Sequence, residues 1–297
     1  MKSRTILLVT ALVCVGMLAQ AQIKPAFNPA KGEKYTYRLV TDQKMNNSFS
    51  GKEMTAGVTT EILMELTVKE KSNNEVSIEY AYKEIVTTSS NPMMSFKVDS
   101  KNKAGNTSEI EKMIAKLYDC FIGKPLQLIV TPDGSVKSLT GYNAIQEDLK
   151  KVLASLGDME QQMASMSIES FTEDAIKSGF EQTFKMYPDK EIKVGDSWSK
   201  DISFTMANMS NNVKNTYMLK SVNNDVALLD VASVLTVKPG GGMEGDIKGD
   251  QKGEMRLDLK TGMPVQSSSE GTAKGKMSGQ GIEMSMEITT ISSVTLQ

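Results

Sequence analysis

Histidine is absent from this 297-residue chain, cysteine occurs twice, tryptophan once, and aromatic residues make up only 6% of it. Without an imidazole there can be no Ser-His-Asp or Cys-His catalytic pair, and no zinc or copper site built on histidine. Positive charge is not in excess either: 34 Lys and Arg stand against 36 Asp and Glu, for a net charge of −2. Nucleic acid binding needs clustered cations to displace phosphate counterions, and no such cluster is present. After the first two dozen residues no apolar run approaches the roughly 20 residues that a bilayer-crossing helix requires. A transmembrane segment in the mature chain is therefore excluded.

What is present begins with a leader. Met1-Lys2-Ser3-Arg4 supplies a charged start, Ile6 to Leu18 a short apolar core, and Ala19-Gln20-Ala21 a small-residue cleavage site. The pattern predicts a secretory signal peptide over residues 1–21, cleavage after Ala21, and a periplasmic or secreted protein beginning at Gln22. Cys14 leaves with the leader. Cys120 then has no partner for an internal disulfide, so stability must come from a packed core. Near Leu117 and Phe121, and with no base close in sequence, it is expected to be a buried inert thiol.

Period-two alternation dominates the rest. Ile62, Met64, Leu66 and Val68 alternate with polar neighbours, as do Val76, Ile78, Tyr80 and Tyr82, and Ser72-Asn73-Asn74 between them suits a hairpin turn. Met255 to Leu259 and Ile282 to Ile288 repeat the pattern. Thr131-Pro132-Asp133-Gly134 and Lys260-Thr261-Gly262 mark further turns. Three helices are expected. The first follows a Ser108/Glu111 capping box, carries Met113, Ile114, Leu117 and Phe121, and stops at Gly123 and Pro125. The second carries Ile145, Leu149, Val152, Leu153 and Leu156. The third starts near Ser170, carries Ile176, Phe180, Phe184 and Tyr187, and is halted by Pro188.

The two β-rich ends echo each other. Gly32-Glu33-Lys34-Tyr35 resembles Gly195-Asp196-Ser197-Trp198, and Asn73-Asn74-Glu75-Val76 resembles Asn223-Asn224-Asp225-Val226. We expect a first β-rich half over 22–141, a helical insert over 142–188 and a second β-rich half over 189–297. The fold class is mainly β with a helical insert: a large curved antiparallel sheet or half-barrel from two related halves, with about three helices.

No motif points to covalent chemistry, and no catalytic, cofactor-binding or metal-ligating residue is assigned. Ser197-Trp198-Ser199-Lys200 has the Ser-x-x-Lys spacing of penicillin-recognising enzymes, but on a strand residues three apart face opposite ways. Gly240 to Gly245 spells G-x-G-x-x-G without a helix to follow it, so a hairpin loop is the better account. Asp246, Asp250 and Glu254 fit no calcium loop. Paired carboxylates are the one catalytic option the composition leaves open. Methionine is the residue in excess, with 21 copies. Met159, Met163 and Met166 would share a face if the second helix ran past Gly157. Met54, Met64, Met93, Met94, Met206, Met209, Met255, Met284 and Met286 are spread over several expected strands and suit an adaptable apolar lining.

Gly-Glu-x-Tyr-x-Tyr at Gly32 to Tyr37, Thr-Pro-Asp-Gly at Thr131 to Gly134, Val-Gly-Asp-Ser-Trp at Val194 to Trp198 and Leu-Asp-Leu-Lys-Thr-Gly at Leu257 to Gly262 resemble an uncharacterised family of secreted β-rich proteins of Gram-negative envelopes. That resemblance implies the architecture and no activity. A looser similarity of plan, a curved sheet with a helical lid, links it to periplasmic lipoprotein-carrier proteins. The expectation is a non-enzymatic protein that binds a lipid or other apolar ligand, or an envelope partner protein. A carboxylate hydrolase and a structural or surface-interaction module are the alternatives. Either the apolar faces interdigitate into a solid core, or they leave a methionine-lined hollow roofed by the helices.

Overall fold

The computed structural model describes residues 22–49, 52–92, 95–168, 171–206, 209–240, 243–279 and 282–297. The expected leader, Met93 and Met94 lie outside the described residues. In chain order the strands are β1 (Lys34–Phe49), β2 (Lys52–Lys71), β3 (Val76–Ser90), β4 (Ser95–Asp99), β5 (Leu126–Val130), β6 (Val136–Thr140), β7 (Ser197–Met206), β8 (Met209–Asn223), β9 (Val226–Lys238), β10 (Glu244–Asp258), β11 (Pro264–Gly279) and β12 (Ile282–Leu296). The helices are α1 (Glu109–Asp119), α2 (Tyr142–Ala154), α3 (Asp158–Ile168) and α4 (Glu173–Phe184).

All the strands join one antiparallel sheet in the order β6-β5-β3-β2-β1-β12-β11-β10-β9-β8-β7, with β4 beside the outer part of β3. The expected hairpins form: β2 pairs with β3, and Thr131 to Ser135 turns β5 into β6. Helix α4 lies against both β6 and β7, which are the two ends of the sheet. The sheet is therefore curled until its edges converge on a single helix. Glu181 on α4 accepts a hydrogen bond from the Val136 backbone N–H of β6 (2.9 Å), and Trp198 on β7 donates its indole N–H to Met186 O (2.5 Å) just past the helix. The segment before β1 seals the same end: Phe27 N–H donates to Pro132 O (2.9 Å) and Asn28 N–H to Thr261 O (2.8 Å), tying together the β5–β6 and β10–β11 turns.

The approaches to β1 and to β7 correspond in backbone detail. Gly32 N–H donates to Val68 O (2.8 Å) and Val68 N–H to Glu33 O (2.9 Å); Gly195 N–H donates to Leu219 O (2.8 Å) and Leu219 N–H to Asp196 O (3.1 Å). Both glycines take a left-handed backbone, with φ of +88° and +94°, where a Cβ is strained. A register shift follows Val68 in β2 and Leu219 in β8. The run β6-β5-β3-β2-β1 is repeated in the same sense by β11-β10-β9-β8-β7, with β12 inserted between β1 and β11.

Helices cover the concave face only at the end where β1 starts, β2 finishes and the β5–β6 and β10–β11 turns lie. The capping box of α1 is formed as expected, with Ser108 Oγ accepting from Glu111 N–H and the Glu111 carboxylate accepting from Ser108 N–H. Met113, Ile114, Leu117 and Tyr118 of α1 are buried, as are Ile145 and Leu149 of α2 and Ile176, Phe180 and Phe184 of α4. They meet Tyr37, Leu66, Ile78, Tyr82, Leu229 and Leu257 from the strands in one cluster. Each such side chain contributes about 1.5–3 kcal/mol.

Three helical details differ from the expectations. Thr172, with its side chain accepting from Ala175 N–H, caps α4, and Tyr187 lies beyond its end; Ser170 is outside the described residues. The second helix stops at Ala154, before Leu156, with Ser155 as its C-cap, and the methionine run forms a separate helix, α3. There are thus four α-helices among the described residues, not three, together with a 3-10 turn at Lys103–Gly105.

Candidate functional site

Because cross-strand partners share a face, the register assigns every strand residue to the concave or the convex side. The concave face resolves into rows running across the sheet. One row crosses eight strands: Met54, Asn47, Met286, Gly275, Ile247, Val237, Asn211 and Phe204, from β2 to β7. The next row inward is Ala56, Met45, Ile288, Ala273, Gly249, Leu235, Val213 and Ile202. These two rows are apolar apart from the amides Asn47 and Asn211, and neither holds a charge.

Two polar rows follow. Gln43, Thr290, Gln251, Ser233 and Asn215 lie in one, and Thr60, Thr41, Ser292 and Ser269 in the other. Ser233 Oγ donates to Asn215 Oδ1 (2.6 Å), and Gln251 Nε2 donates to Ser269 Oγ (2.6 Å). On β7 to β9 the second of these rows is already apolar, with Trp198, Tyr217 and Val231 of the helix-covered core; on the other strands that core begins one row further in, with Ile62, Leu39, Val294 and Met255, joined by Leu229 and Leu219. The concave face therefore carries two apolar zones that do not touch.

The outer zone is a cluster of its own. Val237, Ile247, Ala273 and Met277 are buried in it, and Met209, Leu235, Met243, Met284 and Met286 pack against them. It contains no helix residue. Its cover comes from the curl of the sheet, and glycine makes that curl attainable. Gly245, Gly249 and Gly253 on β10 and Gly271, Gly275 and Gly279 on β11 all face inward. A Cβ at Gly275 would lie 2.1 Å from Asp246 O, and one at Gly271 would lie 2.4 Å from Asp250 O, so the two backbones approach more closely than any side chain permits.

The expected methionine lining divides accordingly. Met64 and Met255 belong to the helix-covered core, while Met209, Met284 and Met286 line the outer zone; Met54 is at its rim, 45% exposed. Met206 takes its place on β7 by backbone alone, and the side chains of Met166 and Met206 lie outside what is described. Met159 on α3 is exposed to solvent. Of the two alternatives, a solid core or a hollow, the region beneath the helices is a solid core: Leu117, Phe121, Leu126, Leu128 and Ile145 have no accessible surface. Among the described residues, surface clefts include one of about 360 Å³ between α1 and α3 and one of about 600 Å³ beside the β1–β2 hairpin, both edged by charged side chains.

The other motifs fall as their local structure dictates. Ser197 and Lys200 lie on β7 with Ser197 on the convex side and Lys200 concave, and the Lys200 ammonium pairs with Asp189 (2.7 Å). Gly240 to Gly245 connects β9 to β10, and Asp246, Ile247 and Lys248 continue as strand; Gly241 and Gly242 lie outside the described residues. Asp246, Asp250 and Glu254 point outward along β10, with Asp246 paired to Lys248 and Glu254 to Lys220. Among the described residues no group of three metal-binding side chains forms. Cys120 caps α1, its thiol directed at Lys116 O, and burial pushes its pKa up.

The displaced carboxylates all move the same way. Backbone N–H groups of Ser108, Lys97 and Thr107 bring Glu111 to about 2. Lysine partners lower Glu109 and Asp148. Burial pushes Asp133 up, but the Thr131 and Ser135 hydroxyls outweigh it and leave it lowered. A general acid needs the opposite displacement.

The convex face is charged, with cross-strand ion pairs such as Lys274–Glu287 (2.7 Å) and Arg38–Glu61 (2.9 Å). Membrane-spanning barrels carry the reverse pattern, apolar outside and polar within. No described helix is long and apolar enough to cross a membrane.

A family model covering residues 73–264 matches the sequence. The chain belongs to the family of unknown function DUF6263. The Thr131 to Gly134 and Val194 to Trp198 motifs of this DUF6263 protein lie inside that match, whereas the Gly32 to Tyr37 motif precedes it. No curated protein matches the chain. Among solved structures it is similar to one titled "lipid-protein interactions in lipovitellin", at 10% identity and a TM-score of 0.46, over 91% of this chain and 25% of that one. The DUF6263 chain thus spans a quarter of the length of that relative. It is also similar to OccK5 (OpdH) of Pseudomonas aeruginosa, at 5% identity and a TM-score of 0.25, over 90% of this chain and all of that one. A BenF-like porin from Pseudomonas fluorescens Pf-5 gives 7% identity and a TM-score of 0.21, over 90% and 100% of the two chains. These similarities are too distant to carry a function.

Proposed function

We propose that this protein is an exported, non-enzymatic binding protein of the bacterial envelope that holds an apolar ligand in the outer zone of its concave face. One observation carries the reading: the Met209, Met243, Met277, Met284 and Met286 cluster lies apart from the main core, with no helix over it. Thioether side chains are flexible and polarisable, so they repack around a guest at low cost. The polar band confines such a guest to the outer zone, since an alkyl chain crossing it would strip water and hydrogen-bond partners from Gln43, Thr290 and Thr41. The charged convex face keeps the loaded protein in water. The leader, if removed after Ala21, leaves a first segment whose Phe27 is anchored among Phe180, Phe184 and Tyr187. On this reading the two β-rich halves and the helical insert divide the labour, with the insert closing one end and the halves together forming the site.

Titration of delipidated protein with Nile red, a neutral dye that brightens in apolar surroundings, tests the proposal. Saturable binding is expected, and Met286→Lys, which sets a charge in the outer zone, should abolish it in a variant whose circular dichroism still matches that of the folded wild type. Absence of saturable binding, or equal binding by Met286→Lys, removes the reading. Export is tested separately by N-terminal sequencing of the processed protein, expected to begin at Gln22.

A further inference from the structure

Asn47 is out of place in its surroundings. Its concave neighbours in register are Met286 on β12 and Met54 on β2, and Met45 precedes it on the same side of β1. Its amide oxygen Oδ1 is buried and has no hydrogen-bond partner, alone in this among the buried side-chain nitrogens and oxygens of the described residues. The contrast with other buried amides is direct. Asn215 accepts from Ser233, Asn211 donates to Met209 O (3.0 Å), and Asn106 both accepts from Asp99 N–H (3.1 Å) and donates to Asp99 O (3.1 Å). A buried acceptor left without a donor weakens the fold, and leucine or methionine at this position would continue the apolar row without that cost.

We infer that Asn47 is the polar contact of the outer zone, and that the ligand is a neutral single-chain amphiphile with a hydrogen-bond donor, a hydroxyl or an amide N–H, at its polar end. The inference rests on the binding reading above and specifies its ligand. The Asn47 oxygen can only accept, so the missing partner must donate. A carboxylate, sulfate or phosphate end offers acceptors instead. The row of Asn47 and the row inward of it hold no Lys or Arg to receive such an anion; the nearest cation on this face, Lys52 opposite Phe49 at the hairpin tip, is exposed to solvent, and Lys200 lies in the polar band and is committed to Asp189. The methionines flanking Asn47 would take the first methylenes of the chain.

Calorimetric titration of the delipidated protein with decan-1-ol and with decyl methyl ether isolates the donor. The alcohol is expected to bind about tenfold more tightly, as one hydrogen bond to an otherwise unsatisfied group implies. In Asn47→Leu the two should bind alike, and the ligand-free variant should melt higher than the wild type. Equal affinity for alcohol and ether in the wild type, or a lower melting temperature for Asn47→Leu, overturns the role of Asn47 while leaving an apolar site in place. Failure of both compounds to bind overturns the binding reading and this inference with it.

Discussion

One continuous sheet supports two apolar regions built by different means. In the helix-covered region, large side chains of strands and helices interlock: Tyr82 meets Phe121 and Phe171 edge-on, Tyr37 meets Phe184, and Phe27 is enclosed by Phe180, Phe184 and Tyr187. In the outer region the sheet covers itself, with glycines on β10 and β11 allowing the curl and methionines filling the space it leaves. The first arrangement fixes one packing, since aromatic rings in close contact have few alternatives. The second tolerates several, because methionine has many rotamers and no helix enforces one. A protein that must stay folded while its binding surface adapts gains from keeping these regions apart, and the polar band of threonine, serine, glutamine and asparagine does so.

The largest expected effect bears on the rigid side of this contrast. Phe121→Ala, at a residue with no accessible surface, should cost about 3–5 kcal/mol in denaturant unfolding, and the loss should appear in every probe at once. Met277→Ala in the outer cluster should cost about 2 kcal/mol, at the low end for such a truncation, because neighbouring methionines can close the gap. If the two losses are equal, the outer zone is as tightly specified as the core and the contrast fails. Gly275→Val inserts atoms where Asp246 O already stands and should cost about 1–3 kcal/mol. Hydrogen exchange sharpens this prediction: amides of β10 and β11 near Gly275 should lose protection while those around Leu257 keep theirs.

The smallest expected effect concerns pH. Glu111 is lowered from 4.5 to about 2 by the backbone N–H groups it receives at the start of α1. Its folded-state pKa lies below the unfolded one, so its stabilising contribution is present above about pH 4.5 and fades as pH falls toward 2. Glu111→Gln should flatten the acid limb of the stability profile across that window. Because the side chain is exposed, the change should be slight, and an unchanged profile would assign the acid sensitivity to other groups.

Much of the helix-covered region was legible in sequence because its signals are local. The alternation of Ile62 to Val68 and Val76 to Tyr82, the Ser108/Glu111 box and the Thr131 to Gly134 turn each depend on neighbours within a few residues. The start of α4 was placed near Ser170, whereas Thr172, two residues on, is a capping residue as good by type and is the one that accepts from Ala175 N–H. The outer zone was far less legible. Its concave positions on β10 and β11 are held by glycine, which leaves no apolar side chain to register as alternation. A signal was nonetheless there: Gly245, Gly249 and Gly253, then Gly271, Gly275 and Gly279, recur every four residues and so share one face of a strand. Asn47 was invisible, since an asparagine in a polar-looking stretch becomes anomalous only once Met54 and Met286 are seen beside it.

The sequence by itself determined the β-rich class, the turns, the α1 capping box and the absence of imidazole chemistry, because period-two patterning, capping geometry and residue chemistry act over short distances. Tertiary structure alone decided that β12 inserts between β1 and β11, that both sheet edges converge on α4, and that the apolar face splits into two zones. Those outcomes depend on which strands meet across the chain, and pairing between residues hundreds of positions apart leaves no mark in any local stretch of sequence.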